Sequence, residues 1–182
     1  MIGMSTPDKK ALWSLCFGDS EEVAEDFFAI PDVLTLTEHK NGRLVGMASL
    51  IPVRSDSSLL GYYAYGVCVH PDHRGGGIFR RLMERCEAQA IADGKDLLCL
   101  IPATEALVDT YTRMGYSSKI ELFDKASERS HAIRSTSRGF SEFAAPDGAD
   151  TPLLTADLGL LKAFSHIDVD EQFCFDAPMG ER

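Results

Sequence analysis

The stretch "YGVCVHPDHRGGGIFRRLMERCE", residues 65 to 87, constrains the fold more than any other part of the chain. It opens as an apolar strand and closes as an amphipathic helix, with three consecutive glycines at the joint. A strand-to-helix turn stripped of side chains exposes backbone N–H groups at a helix N-terminus, where the helix dipole favours an anion. The joint therefore reads as a phosphate cradle. Two familiar cradles do not fit it. A dinucleotide-binding turn opens a parallel βαβ unit and has an acidic residue about 20 positions on, whereas this loop follows what reads as an antiparallel meander. A nucleotide P-loop places Lys and Ser or Thr after its last glycine, and here Ile78-Phe79 follows.

Charge narrows the ligand further. With 18 Lys+Arg against 28 Asp+Glu, the formal net charge is −10, which argues against a nucleic-acid binder with its basic face. A polyanion must then be held locally, and Arg74, Arg80, Arg81 and Arg85 stand beside the glycines. A solvated helix face is the competing reading for all four; Arg74 and Arg80 are the candidates for the anion. The length of 182 residues suits one domain with a real core, and 45% hydrophobic content is that of a soluble globular protein.

Cys16, Cys68, Cys86, Cys99 and Cys174 are odd in number and lack C-x-x-C spacing, so free thiols in a reducing compartment are expected and a zinc site is not. No apolar run approaches the roughly 18 residues of a membrane span. Lys9-Lys10 and "ALWSLCF" fit a capped helix better than a signal peptide, because Pro7 precedes them and "GDSEE" follows. A cytoplasmic protein with no membrane, metal or nucleic-acid partner is the expectation.

Along the chain, Thr6-Pro7 starts a helix with Leu12, Leu15 and Cys16 as its apolar stripe, ended by Gly18. A second helix runs from about Ser20 to Phe28 with Val23, Phe27 and Phe28 as core residues. Asn41-Gly42 between two β-rich runs is a hairpin signal, the "SDSS" stretch turns the chain again, and "LLGYYAYGVCVH" is the third strand. The helix after the glycines aligns Ile78, Leu82, Cys86 and Ala90 on one face, with Gly94 at its end. "DLLCLI" reads as a strand buried on both faces, followed by a helix from about Thr104 to Met114 and a strand over 116–124. Residues 125 to 150 read as a long polar excursion, and the tail as a last strand in "EQFCFDA". The order predicts an α/β (α+β) fold: a mixed, mostly antiparallel sheet with helices on both faces, plus a C-terminal extension.

The chain resembles the GCN5-related N-acetyltransferases (GNAT family) over residues 6 to 124. The family's acetyl-coenzyme A signature, Q/R-x-x-G-x-G/A after a strand, is matched by Arg74-Gly75-Gly76-Gly77-Ile78-Phe79, behind the strand ending "VCVHP". Its second landmark, a Tyr three residues ahead of Gly-Phe, appears as Tyr111, then Thr112-Arg113-Met114, then Gly115-Tyr116. The run "LIPATEALVDTYTRMGY" is similar to a bacterial branch related to the Eis-type enzymes. The sixth signature position departs from the family, with Phe79 where Gly or Ala is usual; its ring has to point away from the pyrophosphate.

The resemblance implies an acetyl-CoA-binding catalytic domain over 1–124 and an extension over 125–182 completing the same sheet. It implies that Val67 and Val69 offer backbone groups to the pantetheine arm, that residues 75 to 80 hold the pyrophosphate, and that Thr104 stands where many relatives carry a cofactor-touching Asn. Thr104 also reads simply as a helix N-cap. Tyr111 is the implied general acid toward the departing thiolate, against a plain reading as a core tyrosine. With ordinary pKa values near 10 for Tyr and 8.5 for a thiol, full transfer is uphill by about 2 kcal/mol, so a hydrogen bond to the developing thiolate is the main expected effect. The general base stays open among His70, Glu38, Glu105 and His166; where some relatives carry a Glu, this chain has Cys99. The implied reaction is acetyl transfer from acetyl-CoA to a small-molecule, polyamine or peptide amine, with a homodimer compatible. A non-catalytic acyl-CoA sensor and a longer acyl donor are the alternatives.

Overall fold

The computed structural model describes residues 6–54, 59–117, 134–135 and 154–158. Two helices come first, α1 (Thr6–Phe17) and α2 (Glu21–Phe28). The Ser20 hydroxyl accepts from the Val23 N–H and Glu21 and Glu22 sit in the first turn of α2, so the start of this helix is set by both a cap and the dipole. Then follow β1 (Leu34–Lys40), β2 (Arg43–Arg54) and β3 (Leu60–Val69). Asn41 and Gly42 both have positive φ, +53° and +76°, which gives the hairpin the twist its strands require. A 3-10 turn (Pro71–His73), α3 (Ile78–Ala92), β4 (Leu97–Leu100) and α4 (Glu105–Arg113) complete the motif-bearing part.

Three short strands close the sheet: β5 (Tyr116–Ser117), β6 (Arg134–Ser135) and β7 (Leu154–Asp157). The strand order is β1-β2-β3-β4-β7-β5, with β6 paired to the end of β2. Among the described residues only β3 and β4 run parallel; the other pairs are antiparallel. The mixed, mostly antiparallel sheet with helices on both faces is as the sequence predicts. The strand that enters between β4 and β5 is "LTAD", which sequence reading passed over, and β6 lies inside the stretch read as an excursion. The "EQFCFDA" run, the turn at 55–58 and the remainder of the strand expected to 124 lie outside the described residues.

Period-two alternation sorts the core into two layers. Met47, Ile51 and Val53 of β2, Tyr63 of β3, and Leu97 and Cys99 of β4 face α1 and α2, where Leu12, Trp13, Ala24 and Phe27 cover them. Ala48 and Leu50, Tyr62 and Ala64, and Leu98 and Leu100 face the opposite way, toward Met83, Cys86, Tyr111 and Tyr116. Burial of every β4 residue explains its uninterrupted apolar run. Two predicted core positions fail: Leu15 is 53% and Val23 50% exposed, and Trp13 holds the place expected of Leu15. An aromatic nest of Trp13, Phe27, Phe28 and Tyr65 fixes the rotation of both helices instead.

Candidate active site

The site begins with a fault in β3. Register against β2 runs Gly46↔Val69 and Met47↔Cys68, then jumps to Ser49↔Tyr65, so β3 carries one residue more than its partner. Gly66 at that bulge has φ +59°, and a Cβ there would stand 2.6 Å from Cζ3 of Trp13. Backbone conformation and the indole both demand glycine at this position. The bulge also reverses the alternation: Cys68 faces α1, as Tyr63 did, while Val67 and Val69 turn toward α3.

Beyond the fault the sheet opens. Parallel pairing of β3 to β4 covers Gly61↔Leu97, Tyr62↔Leu98 and Tyr63↔Cys99, and then stops, while β3 continues from Ala64 to Val69. Pro102, without an N–H, soon ends any continuation of β4. The His70 N–H donates to the Val45 carbonyl on β2 at 2.8 Å. Neighbouring residues on a strand aim their backbone groups to opposite sides, so Val67 and Val69 present theirs to the gap left by β4. The Val69 carbonyl there accepts from Nε of Arg74 at 3.1 Å and, more weakly, from the Cys16 thiol at 3.7 Å.

The glycine joint follows. Gly75 and Gly77 have φ +79° and +75°, and Gly77 takes the N-cap position of α3 with no side-chain cap. No acidic residue occupies the first turn of α3; Arg80 and Arg81 stand there, against the usual dipole preference. The four arginines divide into two pairs. Arg81 and Arg85 both reach Glu38 at 3.1 Å, and Arg85 also donates to the Thr37 carbonyl at 2.7 Å. Arg80 is exposed and has no ion pair among the described residues. Phe79 is half-buried, its ring edge-on to Tyr111 with centroids 5.4 Å apart, and packed beneath the helix start.

Tyr111 lies on the inner face of α4, 5% exposed, in one layer with Ala64, Val67 and Phe79. Its hydroxyl has no hydrogen-bond partner among the described residues. Burial, with Cys86 nearby, pushes its pKa well above the ordinary tyrosine value. Thr104 occupies the N-cap of α4, exposed and without a side-chain cap bond. Of the base candidates, Glu38 has both oxygens taken by arginines, and Nδ1 of His70 accepts from the Asp72 N–H as a cap of the 3-10 turn. Glu105 is exposed at the start of α4, and His166 lies outside the described residues. The Glu38 link to α3 and the stacking of Trp13 on Gly66 escaped sequence reading; a lone glutamate and a lone indole give no signal at those spacings.

Among the described residues no group of three His, Cys, Asp or Glu side chains could hold a metal ion, and no helix is long and apolar enough to cross a membrane. The fold resembles a GNAT family N-acetyltransferase (YhbS) from Escherichia coli in complex with CoA, with a TM-score of 0.62 and 15% identity over 100% of this chain and 89% of that one. A GNAT family acetyltransferase from Brucella melitensis in complex with acetyl-CoA aligns with a TM-score of 0.51 and 20% identity over 62% and 76%. Tetrahymena GCN5 aligns with a TM-score of 0.54 and 12% identity over 85% and 87%. Comparison with curated protein sequences gives no match. The family described as acetyltransferase (GNAT) domain matches residues 5–118. The chain belongs to this family, and is an acyltransferase of the GNAT type.

Proposed function

We propose that this protein transfers an acetyl group from acetyl-CoA to a primary amine in a ternary complex. The observation that carries the reading is the gap where β3 leaves β4 at Tyr63–Cys99, because it opens directly onto the glycine turn. An extended pantetheine chain can pair with the backbone of Val67 and the Val69 N–H as a strand would, while the Val69 carbonyl holds Arg74 and Cys16. The pyrophosphate then meets the N–H groups of residues 75 to 80 at the helix start, with Arg74 and Arg80 supplying charge and Thr104 bordering the cofactor. Complexes of the Escherichia coli and Brucella melitensis relatives with CoA and acetyl-CoA support this choice of donor.

In the reaction the amine nitrogen attacks the thioester carbonyl, and the C–S bond breaks as the nitrogen loses its proton. An N–H near Val69 polarises the carbonyl, and Tyr111 donates a hydrogen bond to the sulfur as it gains charge. Since burial raises the Tyr111 pKa, complete proton transfer is harder than between unperturbed groups, and the hydrogen bond carries more of the effect. Glu38 is held by two arginines and His70 Nδ1 by the Asp72 N–H, which supports loss of the amine's proton through ordered water.

The net charge of −10 favours a cationic acceptor: a small amine, a polyamine or a peptide. Residues 1–124 form the catalytic domain and 125–182 its extension, consistent with β7 pairing inside the sheet. The run around Tyr111 supports a tie to the Eis-type branch, and the free thiols support a cytoplasmic setting. A panel of amines incubated with acetyl-CoA, read by released thiol and by mass gain of the acceptor, tests the activity. Tight CoA binding with no transfer to any amine would favour a sensor instead.

A further inference from the structure

Two thiols that the proposed chemistry does not use meet beside the gap. Cys16 is half-buried on α1, on the stripe that packs against β3, and Cys68 is buried on the β3 face turned toward α1. Cys16 packs against the buried cluster to which Cys68 belongs. Cys16 Sγ and Arg74 Nε converge on one atom, the Val69 carbonyl oxygen, at 3.7 and 3.1 Å. That carbonyl belongs to the residue following Cys68 and faces the opening. The bulge at Gly66 creates the meeting, since without its extra residue the position of Cys68 would face α3.

We propose that Cys16 and Cys68 form an oxidisable pair at the cofactor opening, closed to a disulfide by a peroxide, and that closure weakens coenzyme A binding. The Cys16 thiolate attacks one peroxide oxygen, the O–O bond breaks, and hydroxide leaves with Cys16 as the sulfenic acid. The Cys68 sulfur then attacks the Cys16 sulfur. The S–O bond breaks, and the hydroxyl leaves with the Cys68 proton as water. Two thiols lose two electrons in all, and the peroxide takes them up.

The surroundings suit each partner to its role. The Cys68 thiol and then Arg74 favour a thiolate at Cys16 against the opposing effect of its partial burial, and hold its pKa below the ordinary thiol value. Cys68 is pushed the opposite way, first by its bond to Cys16 and then by burial, so it is inert until Cys16 has been converted to a neutral sulfenic acid. Cys86 and Cys99 are buried away from this opening, with burial raising both. A disulfide needs Cβ atoms within about 3.5–4.5 Å. Forming it ties α1 to β3 next to the Val69 carbonyl, takes the Cys16 sulfur out of its contact with that oxygen and constrains the backbone that the pantetheine would pair with.

The consequence for coenzyme A rests on the proposed cleft, and the test separates the two. Full-length protein is treated with hydrogen peroxide, mapped by peptide mass spectrometry without reduction, and titrated with coenzyme A by calorimetry before oxidation, after it and after dithiothreitol. The expected result is a Cys16–Cys68 linked peptide, at least a tenfold loss of affinity on oxidation and recovery on reduction. In Cys16→Ala the ratio of oxidised to reduced affinity should be one. In Cys68→Ala, Cys16 should stop at the sulfenic acid and be trapped by a dimedone probe. A Cys16 that remains fully alkylatable, a disulfide linking other cysteines, or a Cys16–Cys68 bond with unchanged affinity would each overturn the proposal. Failure of the reduced protein to bind coenzyme A would overturn the cleft and with it the claimed consequence, while the peptide map still decides the thiol pair.

Discussion

Gly66→Ala probes the device that opens the sheet. The substitution places a methyl 2.6 Å from Cζ3 and 3.2 Å from Cη2 of Trp13, on a residue held at φ +59°. A left-handed conformation costs an L-residue about 1–2 kcal/mol, and overpacking a core contact typically adds about 1–3 kcal/mol. The indole cannot simply withdraw, because Phe27 and Phe28 flank it at 4.8 and 5.7 Å and its Nε1 donates to Asp19 at 2.8 Å. A loss of about 2–5 kcal/mol follows, lowering Tm by roughly 4–20 °C for a chain of this size. Denaturant unfolding of Gly66→Ala, Trp13→Phe and the double variant separates the two contributions. In the Trp13→Phe background the shorter ring relieves the overlap, so Gly66→Ala should cost only the conformational part. A cost below about 0.5 kcal/mol in the natural background, or an equal cost in both, would refute this account of the bulge.

Other perturbations test separate parts of the site. Gly77→Asn, which tolerates the positive φ, should stay folded and bind coenzyme A moderately less well. Gly77→Glu adds backbone strain as well as like charge, and should lose about 100-fold in affinity if two charge-assisted bonds to the pyrophosphate go; calorimetry on the folded Glu variant showing natural affinity would refute the cradle. Glu38→Gln should cost less than about 1 kcal/mol, since its arginine partners are half-exposed, and leave kcat within about threefold; a large kcat loss with stability retained would instead make Glu38 the base. Stability should fall as pH rises above about 9. Burial lifts Cys86 from 9.0 to about 12, so the unfolded chain deprotonates first, and each pH unit between those values removes about 1.4 kcal/mol through this one thiol. Denaturation midpoints flat from pH 8 to pH 11 would contradict that burial.

Features that were legible in the sequence are local ones. Glycines with positive φ at residues 42, 77 and 94, the period of α3, and the apolar run of β4 each report a conformation through their own residue types. The long-range features were not. β7 is four residues, "LTAD", and becomes a strand because β4 and β5 both leave a vacant ladder beside it. Leu15 is apolar yet exposed, since the aromatic nest around Trp13 turns α1 by about one position. At the site, the glycine turn and Tyr111 could be located from spacing. The division of the arginines could not, because Glu38 approaches α3 from a strand about forty residues away. Nor could the meeting of Cys16 with Cys68, which depends on the parity change at the bulge.

The central claim, acetyl transfer at this cleft with Tyr111 stabilising the departing thiolate, is tested most directly by Tyr111→Phe. The ring's contacts with Phe79 and Tyr116, at 5.4 and 5.6 Å between centroids, survive the change, so unfolding should shift little. Only the hydroxyl is lost, and it has no partner among the described residues to be stranded. Steady-state turnover on a verified amine should fall by about 10²–10⁴, with acetyl-CoA affinity by calorimetry unchanged, because the bond forms mainly in the transition state. Natural turnover in the variant, or joint loss of binding and stability, would contradict the account.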